Sequence, residues 1–206
     1  MQSVTLNGVK IIPSKVVCVG RNYVEHIQEL NNEVPTSMVL FAKPNSAVSK
    51  LLTIDPKVPL HYEGEISFLV KDGAIFAVGF GLDLTNRGLQ SELKAKGLPW
   101  ERAKAFDGAA VMSSFVSIDP SLINSLSMQL WINDTLVQEG GVSLMIYKPE
   151  TIIEEIQSFM TLEDYDIIMT GTPKGVGSFK TGDCFIGKIF LDGTEILSHA
   201  WCAQAK

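Results

Sequence analysis

Two glutamates separated by one glycine are the residues of this sequence best suited to chemistry. They are Glu63 and Glu65, in the largely apolar stretch of residues 61–70. Side chains alternate across a strand that rises about 3.3 Å per residue, so a strand here would place both carboxylates on one face. Two like charges held so close in an apolar strand repel each other, unless a cation or a shared proton compensates them. The pair therefore indicates a site for a hard divalent cation.

A third carboxylate, Asp83, ends a second apolar run. Asp72 and Gly73 stand between the two runs and predict a two-residue hairpin turn, which would make the runs neighbouring strands. The three carboxylates could then meet at one end of a sheet. Such a set suits Mg²⁺ or Mn²⁺ and leaves coordination positions for water or substrate.

The residues alone leave alternatives for this pair open. Two glutamates spaced in this way can simply form the solvated face of an antiparallel sheet. They can also be the acid and the nucleophile of a glycosidase, whose carboxyl groups lie about 5 Å apart. His61, on the same predicted face, is either a further ligand or a hydrogen-bonded structural residue.

A histidine and a glutamate three residues apart, His26 and Glu29, form a second candidate group. They follow a short apolar strand at residues 15–19, in a segment with helical spacing, and would share one helix face. A carboxylate beside an imidazole raises its basicity and fixes its tautomer, as a water-activating base requires. The alternative is an ordinary surface pair.

Residues 31–37 are polar and turn-rich, so we expect a short, loosely tethered helix that can close over a substrate as a lid.

The remaining pattern predicts elements that support these groups. We expect a buried strand at residues 38–42, a helix at 88–96 capped by Gly97, and hairpins that turn at 133–134 and 192–193. A helix that begins at Pro149 carries a stripe that we assign to the core: Ile152, Ile153, Ile156, Phe159 and Met160.

Two further features could bind an anion. Lys104, among small and apolar residues, is either exposed or placed to stabilise an anionic substrate or enolate. A strand beginning at Asp166 leads into a loop, residues 170–177, with three glycines. The loop does not fit the P-loop pattern, but its hydroxyls and backbone N–H groups can bind a carboxylate.

Composition excludes several classes of protein. The chain has 206 residues, 46 % of them hydrophobic and 19 % charged, which fits one well-buried globular domain. The net charge of −6 and the lack of a basic run argue against a nucleic-acid partner. The sequence has neither an apolar run of about 18 residues nor a signal-peptide pattern, so we expect no membrane association and a cytoplasmic location. Cys18, Cys184 and Cys202 lack metal-binding spacing, and we expect reduced thiols rather than a disulfide.

Five blocks in order resemble the fumarylacetoacetate hydrolase family, and in particular its small acylpyruvate hydrolases and oxaloacetate decarboxylases. The blocks are residues 20–29, 61–65, 82–85, 104–107 and 170–177. The resemblance runs from about residue 15 to 190 and implies one catalytic domain over residues 1–206. It also implies an α+β fold, a β-rich roll of mixed sheets with a few covering helices, and usually a homodimer.

The resemblance implies roles for nine residues. These are the Mg²⁺ or Mn²⁺ ligands Glu63, Glu65 and Asp83, the catalytic residues His26, Glu29 and Lys104, and the substrate-binding residues Arg21, Gln90 and Thr172.

Two departures from the family pattern bear on the substrate range. Members commonly carry a helical insertion where Asp72 and Gly73 make a tight turn, and a usual glycine is replaced by Tyr165.

The activity that we expect first is hydrolytic C–C cleavage of an acylpyruvate, such as acetylpyruvate or fumarylpyruvate, with pyruvate released as an enolate that the metal stabilises. The same site would serve oxaloacetate decarboxylation or tautomerisation, or isomerisation of a 2-hydroxydienoate. A non-catalytic protein that binds α-keto acids is a further alternative.

Overall fold

The structure is a computed structural model that describes residues 1–30 and 36–206, and these residues form 18 strands and four α-helices. The strands are β1 (Val4–Leu6), β2 (Val9–Ile11), β3 (Lys15–Gly20), β4 (Val39–Pro44), β5 (Val48–Ser49), β6 (Thr53–Ile54), β7 (Leu60–Tyr62), β8 (Gly64–Lys71), β9 (Ala74–Asp83), β10 (Thr85–Asn86), β11 (Ala110–Ser117), β12 (Leu126–Ile132), β13 (Thr135–Gly141), β14 (Ile167–Met169), β15 (Gly177–Ser178), β16 (Cys184–Leu191), β17 (Thr194–Cys202) and β18 (Gln204–Ala205). The helices are α1 (Val24–Glu29), α2 (Arg87–Ala95), α3 (Glu101–Lys104) and α4 (Pro149–Gln157).

The strands form a large mixed sheet and a smaller antiparallel one. The large sheet has the order β2-β1-β11-β9-β8-β14-β3-β4, with β5 also paired to β11. The smaller sheet has the order β13-β12-β16-β17, and two short sheets, β10-β7-β15 and β18-β6, complete the described part of the chain. Side chains from both larger sheets share one core cluster, in which the rings of Phe80 and Trp201 lie 6.2 Å apart. The fold is the β-rich roll of mixed sheets with few helices that the family resemblance implies.

The β8–β9 hairpin brings Asp83 next to Glu63, as the sequence predicts. Asp72 and Gly73 form its turn with φ angles of 51° and 76°, and a two-residue turn of this kind requires positive φ at both positions. At the far end of the hairpin, the Asp83 N–H donates to the carbonyl of Glu63 at 2.8 Å.

Glu63 lies at a junction between two sheets rather than inside one continuous strand. Strand β7 ends at Tyr62 and pairs with β10 and β15, whereas β8 begins at Gly64 and pairs with β9 and β14. Glu63 and Glu65 are only 6 % and 1 % exposed, so a solvated sheet face is excluded.

Two core predictions need correction. Strand β4 is half-buried rather than buried, and its one fully buried side chain is Lys43 rather than an apolar residue. Helix α4 buries Ile152 and Ile156, but Phe159 lies beyond its end and is 60 % exposed. The apolar stripe is therefore shorter than its spacing indicates, because the helix stops before a further turn forms.

The prediction of three reduced thiols is wrong for two of them. Cys184 and Cys202 form a disulfide, while Cys18 is a free, buried thiol. The antiparallel pairing of β16 with β17 places the two bonded cysteines directly opposite each other, with Cα atoms 4.1 Å apart. Their separation of 18 residues in sequence does not reveal that register.

Two other features bear on the predictions. The polar segment predicted to tether a lid lies mostly outside the described residues, which omit residues 31–35. Tyr165, which stands where the family usually has glycine, adopts a φ of 72°, in the left-handed region that glycine occupies without strain.

No described helix combines the length and the apolar character needed to cross a bilayer.

Candidate metal centre

Three buried carboxylates converge where the hairpin meets the sheet junction. One oxygen from each of Glu63, Glu65 and Asp83 lies within 4.8 Å of the others. Glu65 and Asp83 are each 1 % exposed. The sheet pairing explains the convergence, because Glu65 lies opposite Gly81 on β9 and the chain then reaches Asp83. His61 lies outside this group.

Lys104 bridges two of these carboxylates. Its Nζ lies 2.8 Å from Oε2 of Glu63 and 2.6 Å from Oδ2 of Asp83, and it also donates to Oγ1 of Thr85 at 2.7 Å. Burial would lower the pKa of Lys104, but the charges of Asp83 and Glu63 outweigh it and raise that pKa above its ordinary value. Lys104 is therefore a buried, permanently charged group rather than an exposed lysine.

Two more cations complete the charge balance. Lys43 Nζ lies 2.7 Å from Oδ1 of Asp83 and donates to the backbone carbonyls of Lys104 and Ala109. Arg87 pairs with Oε1 of Glu63. In the described part of the chain, three carboxylates thus face three cations.

Glu65 is the carboxyl group whose charge these cations compensate least. Burial raises its pKa, and the charges of Asp83 and Glu63 raise it further, while a hydrogen bond of 2.7 Å from the Gly171 N–H acts in the opposite direction. Burial also acts to raise the pKa of Glu63, but Lys104 and Arg87 hold it below its ordinary value. An additional cation beside Glu65 would therefore stabilise the group.

The donor set fits a hard divalent ion. The cluster offers only carboxylate oxygens, the ligands preferred by Mg²⁺ and Mn²⁺. Oδ1 of Asp83 lies 2.7 Å from the Lys43 ammonium group, and a carboxylate oxygen has a second lone pair that an ion can use. Glu63, Glu65 and Asp83 are thus the residues that would hold the metal.

His26 and Glu29 form a partly buried pair at the end of α1. Nδ1 of His26 lies 3.3 Å from Oε2 of Glu29, whose two oxygens also accept from the Gly175 N–H at 3.0 and 3.2 Å. Burial lowers the pKa of His26, and the nearby Glu63 and Glu29 offset part of that effect. Because His26 is only 6 % exposed, this is not a surface ion pair.

Gly175 allows this contact between helix and loop. Its φ is 98°, and a Cβ there would lie 2.0 Å from the carbonyl oxygen of Val137. The glycine-rich loop therefore packs against β13 and presents its N–H to Glu29.

One cavity collects eight of the nine residues to which the sequence assigns a role: Arg21, His26, Glu63, Glu65, Asp83, Gln90, Lys104 and Thr172. The ninth residue, Glu29, does not line the cavity but accepts a hydrogen bond from Nδ1 of His26, which does. Gln90 accepts from Arg87 at 2.7 Å, and Thr172 donates to the carbonyl of Gly64, between the two glutamates, at 2.9 Å.

Four functional residues were not foreseen from the sequence: Lys43, Arg87, Lys94 and Gln138. Lys94 lines the cavity together with Arg87. Gln138, 2 % exposed, accepts from the Gly64 N–H at 2.9 Å and donates to Oγ1 of Thr172 at 2.8 Å. A signal existed for Lys43, a charged residue in an apolar run, and for Arg87, three residues before Gln90. Gln138 has no local signal, because its partners Gly64, Thr172 and Pro173 are all distant in sequence.

Comparison with known proteins agrees with this geometry. The family model of the fumarylacetoacetate (FAA) hydrolase C-terminal region matches residues 15–193. The mitochondrial oxaloacetate tautomerase oaa1 of Schizosaccharomyces pombe is 37 % identical over 85 % of this chain and 88 % of its own length. The oxaloacetate tautomerase YcgM of Escherichia coli is 37 % identical over 82 % of this chain and 85 % of its own.

A solved structure extends the similarity to the whole fold. Fumarylpyruvate hydrolase from Pseudomonas aeruginosa, in complex with Mn²⁺ and pyruvate, superposes with a TM-score of 0.87 at 25 % identity, covering 100 % of this chain and 96 % of that one. From the matched residues and these relatives, we conclude that the chain belongs to the fumarylacetoacetate hydrolase family.

Proposed function

We propose that this protein is a divalent-metal-dependent enzyme that interconverts the keto and enol forms of a 2-oxo acid, with oxaloacetate as the substrate. The observation that carries the proposal is the buried Glu63, Glu65 and Asp83 cluster in the same cavity as His26. The relatives from Schizosaccharomyces pombe and Escherichia coli are both named oxaloacetate tautomerases. Their names support placing tautomerisation ahead of the acylpyruvate hydrolysis that we expected first.

The three carboxylates would hold Mg²⁺ or Mn²⁺, which supplies Lewis-acid stabilisation of the negative charge that develops on the 2-oxo oxygen. Lys104 and Thr172 line the same cavity and are the proposed contacts for the substrate carboxylate. Lys104 already donates to Glu63, Asp83 and Thr85, so a contact with the substrate carboxylate would take the place of one of these three hydrogen bonds.

His26 is the proposed proton carrier. Glu29 accepts from Nδ1, which leaves Nε2 as the basic nitrogen, and the lowered pKa keeps the ring neutral near pH 7. In the keto-to-enol direction, Nε2 takes a proton from C3 of the substrate and returns it to the oxygen on C2. One C–H bond breaks, one O–H bond forms, and the charge balances; the reverse reaction moves the same proton back.

Acylpyruvate hydrolysis is the second candidate, and the His26–Glu29 pair favours it. An imidazole oriented by a carboxylate is a suitable base for activating water. In that reaction the water attacks the carbonyl distal to the 2-oxo acid end, and the C–C bond between that carbonyl and C3 breaks. The products are a carboxylic acid and pyruvate, whose C3 takes up the proton that the water gave to the base. Tautomerisation and hydrolysis would share the metal ligands and differ in what His26 deprotonates.

One experiment separates the candidates. Purified protein is assayed for decay of oxaloacetate enol absorbance and for cleavage of acetylpyruvate, in a chelator and after Mg²⁺ or Mn²⁺ is restored. We expect metal-dependent acceleration of enol decay, and its loss in Asp83→Asn. Cleavage of acetylpyruvate without enol decay would replace the first candidate by the second. If neither reaction occurs, a non-catalytic α-keto acid binding protein remains.

A further inference from the structure

One face of α2 lines the cavity with polar groups. Arg87, Gln90 and Lys94, at positions i, i+3 and i+7, all line it. This spacing places them on one side of a helix. The first of them pairs with Glu63 and the second accepts from Arg87. Lys94, at the other end of the stripe, makes neither kind of contact.

Lys94 is positioned by an aromatic ring rather than by an acid. Its Nζ lies 4.9 Å from the centre of the Trp100 ring, and the side chain is half-buried. Among the carboxylates that the structure describes, none is within ion-pair distance of this ammonium group, whereas those of the metal cluster are paired with Lys43, Lys104 and Arg87. The cavity thus holds a cation that lacks an acidic partner in the described residues.

The surroundings of Lys94 favour an anionic ligand. Burial, followed by the positive charges of Arg21 and Arg87, lowers the pKa of Lys94 to about 8. A divalent ion bound by the three carboxylates would add further positive charge to the same cavity. A ligand with two negative charges would offset this excess better than a ligand with one.

Distance along the helix separates the two ends of the stripe. Seven residues of α-helix span about 10 Å, and the charges of Glu63 and Lys104 still act on Lys94, so its ammonium group lies within electrostatic range of the metal centre. Arg87 marks the metal end through its pair with Glu63, and Lys94 marks the far end. A ligand held at the metal end would have its other terminus facing Lys94.

We propose that Lys94 binds the second carboxylate of a dicarboxylic 2-oxo acid and so selects dianionic over monoanionic substrates. The proposal deepens the proposed function and rests on it for the identity of the bound end. It assigns Lys94 a role in specificity and leaves the proton transfer to His26.

Malate and lactate provide a matched, unreactive pair of probes, because both carry a 2-hydroxy acid end and only malate carries a second carboxylate. Their dissociation constants are measured by calorimetry in Mg²⁺ for the wild type, Lys94→Met, Lys94→Arg and the control Lys96→Met. Methionine keeps an unbranched stem against Trp100, and Lys96 is an exposed residue just after α2. We expect Lys94→Met to raise the dissociation constant of malate about tenfold, in line with the loss of a charge-assisted hydrogen bond. The dissociation constant of lactate should not change. Lys94→Arg should keep most of the preference.

Equal binding of malate and lactate to the wild type, or equal weakening of both by Lys94→Met, would overturn the proposal. Failure of the Lys94 subsite can be distinguished from failure of the proposed activity. Selective binding of malate without turnover of oxaloacetate would support the subsite and reject the activity. Turnover with a KM for oxaloacetate that Lys94→Met does not change would reject the subsite and keep the activity.

Discussion

Lys43 is the largest side chain that the described residues bury completely. A buried ammonium group is costly unless it is paired and hydrogen-bonded, and Lys43 has both kinds of partner in Asp83 and two backbone carbonyls. Its position in β4 brings a buried positive charge next to Asp83, one of the three clustered carboxylates.

Replacing Lys43 by methionine should therefore destabilise the protein by about 3 kcal/mol, since Asp83 loses one of its two buried cationic partners and keeps only Lys104. Mg²⁺ should recover part of the loss, because an ion compensates the same carboxylate and binds only the folded state. Thermal unfolding with and without Mg²⁺ measures both effects, and the exposed Lys71→Met is the control. A variant as stable as the wild type would contradict the structural role of Lys43.

The pH dependence of turnover reports on His26. Burial lowers the pKa of His26 from its ordinary value of 6.5, so the neutral ring persists below that pH, and activity is lost only as pH falls through the lowered pKa. The charge of Glu29 opposes this shift, so Glu29→Gln should lower the pKa of His26 further and move the acid limb of the pH–turnover curve to lower pH. The maximum turnover of this variant should also fall. His26→Gln should lower turnover by about 100-fold or more.

The control for this pH profile lies on the same helix. Glu25 pairs with Lys174 at the surface, and Glu25→Gln should leave the profile unchanged. An acid limb that stays in place in Glu29→Gln would remove Glu29 from the proton transfer.

At the scale of elements, Gln138 joins three pieces of the site. It lies on β13, in the smaller sheet, and binds both the start of β8 and the loop that carries Thr172. The Gln138 amide thus connects the backbone between Glu63 and Glu65 to the loop of Thr172, in addition to the direct hydrogen bond from Thr172 to the Gly64 carbonyl.

Two substitutions separate the functions of this amide. Gln138→Glu keeps an acceptor for the Gly64 N–H but removes the donor to Thr172 and to the Pro173 carbonyl, and we expect a KM for the 2-oxo acid raised several-fold with metal affinity nearly kept. Gln138→Leu removes the contacts to Gly64, Thr172 and Pro173 and should weaken metal binding as well, with a stability loss of about 2 kcal/mol. Steady-state kinetics and Mn²⁺ titration measure the two effects, and the half-buried Gln129→Leu on β12 is the control. If both variants affect only stability, Gln138 does not position the site.

The sequence predicts the elements whose causes are local. Asp72 and Gly73 determine a hairpin by themselves, and that hairpin is enough to bring Asp83 to the glutamates. The sheet junction at Glu63 and the cations that face it depend on strands far apart in the chain. The position of Lys43 directly after an apolar run marks it as unusual, but nothing near it in sequence reveals that Asp83 will lie beside it.

At the scale of the molecule, the single domain and the homodimer implied by the family resemblance stay predictions, as does the cytoplasmic location. Light scattering coupled to gel filtration should give twice the chain mass of 22.5 kDa. A particle of 22.5 kDa that retains turnover would show that one copy builds the whole site.

The disulfide stabilises a different part of the molecule from the metal cluster. It closes a loop between residues 18 apart in β16 and β17, whereas the carboxylates lie in and beside the large sheet. Constraining a loop of this length is worth up to about 3 kcal/mol. Reductant should therefore lower the Tm of the wild type, leave that of a Cys184→Ser, Cys202→Ser double variant unchanged, and leave turnover at 25 °C the same in both.

A cytoplasm keeps most thiols reduced. In such a compartment the β16–β17 hairpin would lose its disulfide bond, while the rate of turnover would stay the same. The reduced protein would then keep its carboxylate cluster and lose only the stability that the bond between β16 and β17 supplies.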